Sequence, residues 1–122
     1  MRIYSNAWID KETGDLNGFE LAIKDTGEDK IDSLLYVYEG TLAEGIPLAG
    51  GLSNGSVEIK GDWVEHLIQY PDKKEIIQTH AVKINGTLKP ASFNGRISIK
   101  DNIDVDTEVR LRRVRHIWAC KP

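Results

Sequence analysis

Gln78 and His80 stand in a run of alternating apolar residues and are the first candidates for binding chemistry. They share the parity of Ile76, Val82 and Ile84, so on a β-strand all five side chains face the same way. Buried polar side chains need hydrogen-bond partners, and a few placed polar groups in an apolar cavity orient small ligands. The pattern predicts a ligand pocket containing Gln78 and His80, or alternatively a core histidine bonded to a neighbouring strand or carboxylate.

Arginines are concentrated near the end of the chain, where the apolar face changes parity at Arg112-Arg113. Apolar residues occupy odd positions before this point and even positions after it, and a one-residue β-bulge would restore a single apolar face. With the bulge, the outer surface carries a basic stripe of Arg110, Arg115 and one or both of Arg112 and Arg113. Such a stripe binds an acidic partner or anionic ligand, or pairs with carboxylates on the adjacent strand. Without the bulge, Arg113 and Arg115 would point inward and need an anion or a buried acid.

Catalytic and metal-binding motifs are missing from the sequence, which has no nucleophile elbow, phosphate-binding loop, dinucleotide fingerprint or His-x-x-x-His spacing. Glu65 and His66 are adjacent, so on a regular strand they face opposite ways and cannot share a site. The three histidines are scattered, and the single Cys120 makes neither an intrachain disulfide nor a zinc site alone. We expect no metal and no cofactor, and catalysis ranks behind binding because no residue set combines nucleophile, base and orienting group.

The elements that must position these side chains are β-strands, because the apolar residues recur with a period of two. Leu21 and Ile23 share one face while Glu20 and Lys24 share the other, which is the pattern of an antiparallel strand with one wet side. The segment Leu34–Glu39 is apolar on both faces, which predicts a strand that is central or covered on both sides.

Turns are indicated by four Asn-Gly dipeptides, beginning at positions 17, 54, 85 and 94, since Asn-Gly supplies the positive φ of tight hairpins. The dipeptides at 17, 85 and 94 also fit strand starts or glycines inside strands. The segment from Trp63 to Ile84 reads as two longer strands around Pro71-Asp72, with a short helix starting at Trp63 as the alternative. Predicted loops are Lys11–Asn17, Asp25–Asp32, Gly40–Pro47 and Asp101–Asp104.

Length and composition favour one globular domain over residues 1–122, with 40% apolar and 29% charged residues. The fold class is all-β, and short sequential connections favour an antiparallel up-and-down β-barrel of about eight to ten strands over a two-sheet β-sandwich. A net charge of −3 offers no cationic field for nucleic acid. No apolar run approaches the ~20 residues of a membrane span.

Several segments together resemble a family of small bacterial all-β proteins, many of them exported. They are Tyr4-Ser5-Asn6-Ala7, Gly14–Leu21, Tyr38-Glu39-Gly40, and Val109–Arg113 with Ile117-Trp118. The resemblance implies a periplasmic or secreted location if an export signal has been removed, and a cytoplasmic one otherwise. More distantly, the Trp8-containing first strand and the successive turns resemble the calycin-like barrels, lipocalins and avidins, which implies an interior that holds a small ligand. Asn6 stands where lipocalins have the glycine of their Gly-x-Trp motif.

Two functions from different classes follow. The first is a small-molecule binding barrel, with Gln78, His80, Tyr36 and Trp118 lining an interior cavity of at least ~300 Å³. The second is a protein-interaction module, an inhibitor or envelope-associated partner, that uses a basic outer strand or an exposed sheet edge. It predicts that Arg110, Arg112 and Arg115 have no carboxylates beside them.

Overall fold

The computed structural model describes residues 1–40, 43–100 and 105–118. The predicted loop Asp101–Asp104 and the lone Cys120 lie outside the described residues. Nine strands are present in the described part, in the order β1 (Arg2–Ser5), β2 (Trp8–Ile9), β3 (Leu16–Gly27), β4 (Lys30–Gly40), β5 (Ile46–Ser53), β6 (Ser56–Gln69), β7 (Lys74–Leu88), β8 (Ser92–Ile99) and β9 (Val105–Val114). The described residues contain no helix of the length and hydrophobicity that a membrane crossing requires.

The strands close into an antiparallel up-and-down barrel, as the period-two pattern predicts. From β3 to β9 each strand pairs with the next along the chain, and β1 closes the ring by pairing with both β3 and β9. The short β2 pairs only with β3 and is additional to the eight-stranded barrel. The barrel prediction is therefore confirmed over the sandwich alternative.

The barrel interior is a packed apolar core. Among the described residues, seventeen buried apolar side chains form one cluster, and Tyr4, Leu35, Ile84 and Phe93 in it are completely inaccessible to solvent. They come from alternate positions of the barrel strands, as expected where one face of each strand points inward. Side chains thus fill the space that a ligand would occupy in a hollow barrel.

A second, smaller apolar cluster lies outside the barrel, on β3 and β4. Its buried members are Leu16, Ala22, Tyr36, Tyr38 and Ile117. Ile117 follows β9, so the C-terminal segment folds back over the outer face of these strands. This cover explains why Leu34–Glu39 is apolar on both faces and confirms that prediction.

Two predictions about local structure have different outcomes. Asn54-Gly55 forms the two-residue turn between β5 and β6, with φ of 52° and 80°, whereas the other three Asn-Gly pairs lie inside strands. The prediction of a β-bulge at Arg112-Arg113 was wrong, because the pairing of β9 with β8 runs without a shift from Val105 to Arg112. The parity change has another cause: β9 ends at Val114, and the residues after it belong to the returning segment.

The hairpin of β6 and β7 extends beyond the barrel as a two-stranded arm, residues 62–81. Pairing of β6 with β5 stops at Lys60, and pairing of β7 with β8 stops at Val82, so beyond the Lys100 N–H, which donates to the Ala81 carbonyl at 2.9 Å, the described arm strands pair with each other. This confirms two long strands and excludes a helix at Trp63. The arm carries exposed apolar side chains, namely Val64, Leu67, Ile68, Tyr70 and Ile77.

Candidate functional site

The four residues predicted to line an interior ligand pocket do not come together. His80 is buried and faces inward at the base of the arm, and Gln78 lies farther out on the arm, half-buried. Tyr36 and Trp118 lie on the outside of the barrel, in and against the outer apolar cluster. Their interior placement was wrong because the returning C-terminal segment, rather than the barrel lumen, covers Tyr36.

His80 has the surroundings of a structural histidine. Its Nε2 lies 2.8 Å from Oε1 of Glu65 on the paired strand, and its ring centroid is 5.4 Å from that of Trp63. The neighbouring His66 faces the other side of the arm, where its Nδ1 lies 2.8 Å from Oε1 of Glu75. Glu65 and His66 therefore do not share a site, and each is paired across the hairpin instead.

The arginines of β9 show the exposure that the basic-stripe hypothesis requires. Arg110 and Arg112 lie on the outer face, and among the described residues neither has an ion-pair partner. Arg115 is exposed beyond the end of the strand. Arg113 has the inward parity but lies at the barrel mouth, 5.9 Å from the centroid of the Tyr4 ring, and donates a 3.4 Å hydrogen bond to the carbonyl of Pro90. It needs no buried acid, because it remains exposed to solvent.

A groove opens beside β9 because the first strand leaves it early. Pairing between β1 and β9 ends at Ser5 and Arg112, after which the chain turns at Asn6 toward β2. We call this opening the β9 groove. It has a volume of about 520 Å³ and is lined by Ser5, Asn6, Ala7, Trp8, Glu20, Arg110, Arg112, Arg113, Val114, His116 and Trp118.

The wall of the groove on the β1–β2 side is held by two hydrogen bonds between Asn6 and the backbone of Phe19. Asn6 Oδ1 accepts a 2.7 Å hydrogen bond from the Phe19 backbone N–H, and the Asn6 N–H donates to the Phe19 carbonyl at 3.1 Å. Gly18 adopts a φ of 108°, and a Cβ there would lie 2.9 Å from the backbone of Ala7. Glycine is thus required where Asn6 and Ala7 approach β3, and the pairing of Trp8 with Asn17 continues this contact into β2.

Glu20 forms the floor of the groove and is completely buried. Its Oε1 accepts hydrogen bonds from the Tyr38 hydroxyl at 2.6 Å and from the Trp118 backbone N–H at 2.7 Å. Its Oε2 is buried and has no hydrogen-bond partner among the described residues. A buried carboxylate oxygen without a donor is unusual, because each buried polar atom normally has a partner.

Sequence reasoning missed Glu20, since strand alternation assigns it to the wet side of β3. Alternation does place it outside the barrel, but the outside of β3 is covered by residues 98 positions away in the chain. The only signal was indirect: the apolar outer face of Leu34–Glu39 needs a cover, and Ile117-Trp118 is an apolar pair beyond the last strand.

A larger opening, about 600 Å³, lies on the outer face of β6 to β9 and shares Arg110 with the β9 groove, but its other arginine, Arg96, is paired with carboxylates. Arg96 donates to Asp106 at 2.9 Å and to Glu108 at 3.1 Å. The hydrogen bond and the charge of Asp106, followed by the smaller contribution of Glu108, raise the pKa of the Arg96 guanidinium above its usual range. The β9 groove is the better candidate because its arginines are not neutralised in this way.

Comparison of the chain with protein-family models, curated proteins and solved structures found no significant match.

Proposed function

We propose that this protein is a non-enzymatic binding domain that holds a small anionic molecule in the β9 groove. The observation that carries the proposal is that Arg110 and Arg112 line this groove, exposed and without a carboxylate partner among the described residues. Guanidinium groups bind carboxylate and phosphate through two parallel hydrogen bonds, so two free arginines on one wall suit an anion.

The groove also suits a ligand with an apolar body. Trp8 is 53% exposed at one side, and the half-buried Trp118 lies at the other. Aromatic side chains contribute large apolar contact area at little entropic cost, and small-molecule sites generally combine such surfaces with a few polar groups. The volume of about 520 Å³ lies within the range of small-molecule sites. The groove thus combines residues from both functions that the sequence suggests. Trp118 was predicted for small-molecule binding, and Arg110 and Arg112 for protein interaction.

The proposal is tested with 3-phenylpropionate, a carboxylate on an aromatic body. Titration is followed by calorimetry and by the NMR signals of the three tryptophan indoles. We expect saturable binding that shifts the Trp8 and Trp118 signals and leaves Trp63, at the base of the arm, unchanged. The double variant Arg110→Gln/Arg112→Gln should weaken binding at least about tenfold, since each arginine contributes a charge-assisted hydrogen bond.

The matched control is Arg96→Gln, which removes an outer-face arginine that is already paired. Equal weakening by the control and by the double variant, or a shift confined to Trp63, would overturn the proposal. Melting curves of both variants should match that of the unmodified protein, as expected for substitutions at exposed positions.

A second candidate is binding of an acidic segment of a protein partner. Arg115 favours it, because this exposed arginine lies outside the groove and extends the basic surface beyond the reach of a small molecule. An eight-residue poly-aspartate peptide serves as the probe. If a protein segment is the ligand, Arg115→Gln should weaken peptide binding about three- to tenfold and leave 3-phenylpropionate binding unchanged. If Arg115→Gln binds the peptide with the same affinity as the unmodified protein, this candidate is excluded.

A further inference from the structure

We infer that the ligand of the β9 groove is a zwitterion of the amino-acid class, whose ammonium group binds Glu20 and whose carboxylate binds the arginines. This inference rests on the proposed function, because it concerns the same groove. It adds a requirement that the arginines alone do not impose: the ligand must carry a hydrogen-bond donor and a positive charge.

The requirement for a donor comes from Glu20. Its carboxylate is completely buried on the groove floor, and both of its hydrogen bonds, from Tyr38 and from the Trp118 backbone, go to Oε1. Among the described residues Oε2 is left as an acceptor without a donor, and because solvent does not reach it, a ligand must displace part of the groove wall to bind it. A carboxylate accepts hydrogen bonds through both oxygens, and a buried one is stable only when its charge is compensated. An ammonium group supplies three donors and the compensating charge in one small group.

The requirement for an anion beside that donor comes from the strand register. Ser5 of β1 pairs with Glu20 of β3 on one side and with Arg112 of β9 on the other. The three residues therefore form a row across three strands on the outer face, with the small Ser5 in the middle. Adjacent strands are about 4.8 Å apart, so the backbones of Glu20 and Arg112 are separated by roughly 10 Å. Opposite charges at this spacing without a direct ion pair leave room for a molecule that bridges them.

Neither charge is satisfied by the other side chains of the groove. No ion pair joins Glu20 to Arg110, Arg112 or Arg113 within the described ranges. Oε1 is fixed by Tyr38 and Trp118, which holds the carboxylate in position before any ligand arrives. An acceptor held in position on the floor and exposed arginines on the wall together recognise a ligand with two opposite charges close to each other.

Three probes that share a phenyl group on a two-carbon chain separate the requirement for an ammonium group from the requirement for a carboxylate. L-phenylalanine carries both charged groups, 3-phenylpropionate lacks the ammonium, and 2-phenylethylamine lacks the carboxylate. Calorimetry on the unmodified protein should show L-phenylalanine binding at least about tenfold more tightly than either single-charge probe, since each charged hydrogen bond contributes about that factor. This ranking needs no variant, so it does not depend on how well a substituted protein folds.

Glu20→Gln then identifies the group responsible. Glutamine keeps an oxygen acceptor for Tyr38 and Trp118 but replaces the negative oxygen with an amide. The advantage of L-phenylalanine over 3-phenylpropionate should disappear, while 3-phenylpropionate binds as before or more tightly. A melting curve of this variant checks that it is folded.

The outcomes distinguish the two proposals. Equal binding of L-phenylalanine and 3-phenylpropionate would overturn the inference about Glu20, while the anion-binding function stands. Binding of none of the three probes, together with no effect of the arginine substitutions, would overturn both. An L-phenylalanine preference that persists in Glu20→Gln would place the ammonium elsewhere and also contradict the inference.

Discussion

The outer surface of the β8–β9 pair has two ends, which carry the same residue type in opposite electrostatic states. At one end Arg96 of β8 contacts Asp106 and Glu108 of β9 and is neutralised. At the other end Arg110 and Arg112 of β9 have no ion-pair partner among the described residues. All three side chains are exposed, so burial does not explain the difference.

Strand register explains it. The residue directly opposite Arg96 is Glu108, whereas Asn94 stands opposite Arg110 and Ser92 opposite Arg112. The other neighbour of Arg112, on β1, is Ser5. Directly opposed side chains on one face of an antiparallel pair lie about 5 Å apart and diagonal ones about 7–8 Å, so Arg96 reaches both Glu108 and the diagonal Asp106, whereas the residues opposite Arg110 and Arg112 carry no charge. An unpaired arginine can therefore be recognised from its opposite and diagonal cross-strand neighbours once the register is known.

Reversing one charge in the β9 groove should have the largest effect on binding. Arg112→Glu should weaken binding of 3-phenylpropionate roughly 50-fold, because it removes a charged hydrogen bond and adds repulsion of the carboxylate. The measurement is calorimetric titration. Lys60→Glu is the control, since it changes the net charge equally at an exposed position of β6 outside the groove. A similar loss in the control would mean that net charge, rather than the groove, determines binding.

Much of the fold was accessible from the sequence, because strand alternation reports which side chains are buried. The barrel, the long β6–β7 hairpin, the turn at Asn54-Gly55 and the cover over Leu34–Glu39 all follow from period-two patterns and turn residues. The outward position of Arg110 and Arg112 follows from the same rule. These features depend on contacts within a strand or between strands that are neighbours in the chain.

The floor of the site was not accessible, because it depends on a contact between distant parts of the chain. Glu20 lies on the face of β3 that strand alternation assigns to solvent. It becomes buried only because the segment after Val114 folds back over β3. The same return produced the parity change that suggested a β-bulge, and it explains why Tyr36 and Trp118 lie outside the barrel. Alternation distinguishes the two faces of a strand, but it does not say which outer face another segment covers.

Ionic strength gives the next largest effect. Raising the salt concentration from 50 to 500 mM should weaken binding of 3-phenylpropionate about fivefold, since the two arginines are exposed and their attraction for the anion is screened. The same titration with Arg110→Gln/Arg112→Gln should show little further loss. An affinity that does not respond to salt in the unmodified protein would indicate binding through the apolar surfaces alone.

A smaller change should sharpen the comparison in the opposite direction. Asp106 and Glu108 share the single guanidinium of Arg96, so one negative charge remains in excess two residues from Arg110 on the same face of β9 and opposes an incoming anion. Glu108→Gln should therefore tighten binding of 3-phenylpropionate about two- to threefold. Glu28→Gln, at the exposed turn between β3 and β4, is the control and should have no effect. Weaker binding by Glu108→Gln would show that this carboxylate helps to position the site.

The smallest effect is expected for Arg96→Gln. This variant tests whether an arginine that is already in an ion pair contributes to binding of the anion. Binding of 3-phenylpropionate should change less than about twofold, because the charge of Arg96 is already balanced by Asp106 and Glu108. Its raised pKa means that the folded protein holds this proton more tightly than the unfolded chain does. Its contribution to stability is therefore fully present below the unfolded pKa and is lost only as the pH rises through the higher folded pKa. The small stability difference between Arg96→Gln and the unmodified protein should thus be the same at pH 6 and pH 9 in urea titrations. A loss of binding as large as that of the groove variants would contradict the comparison, because a paired and an unpaired arginine would then be equivalent.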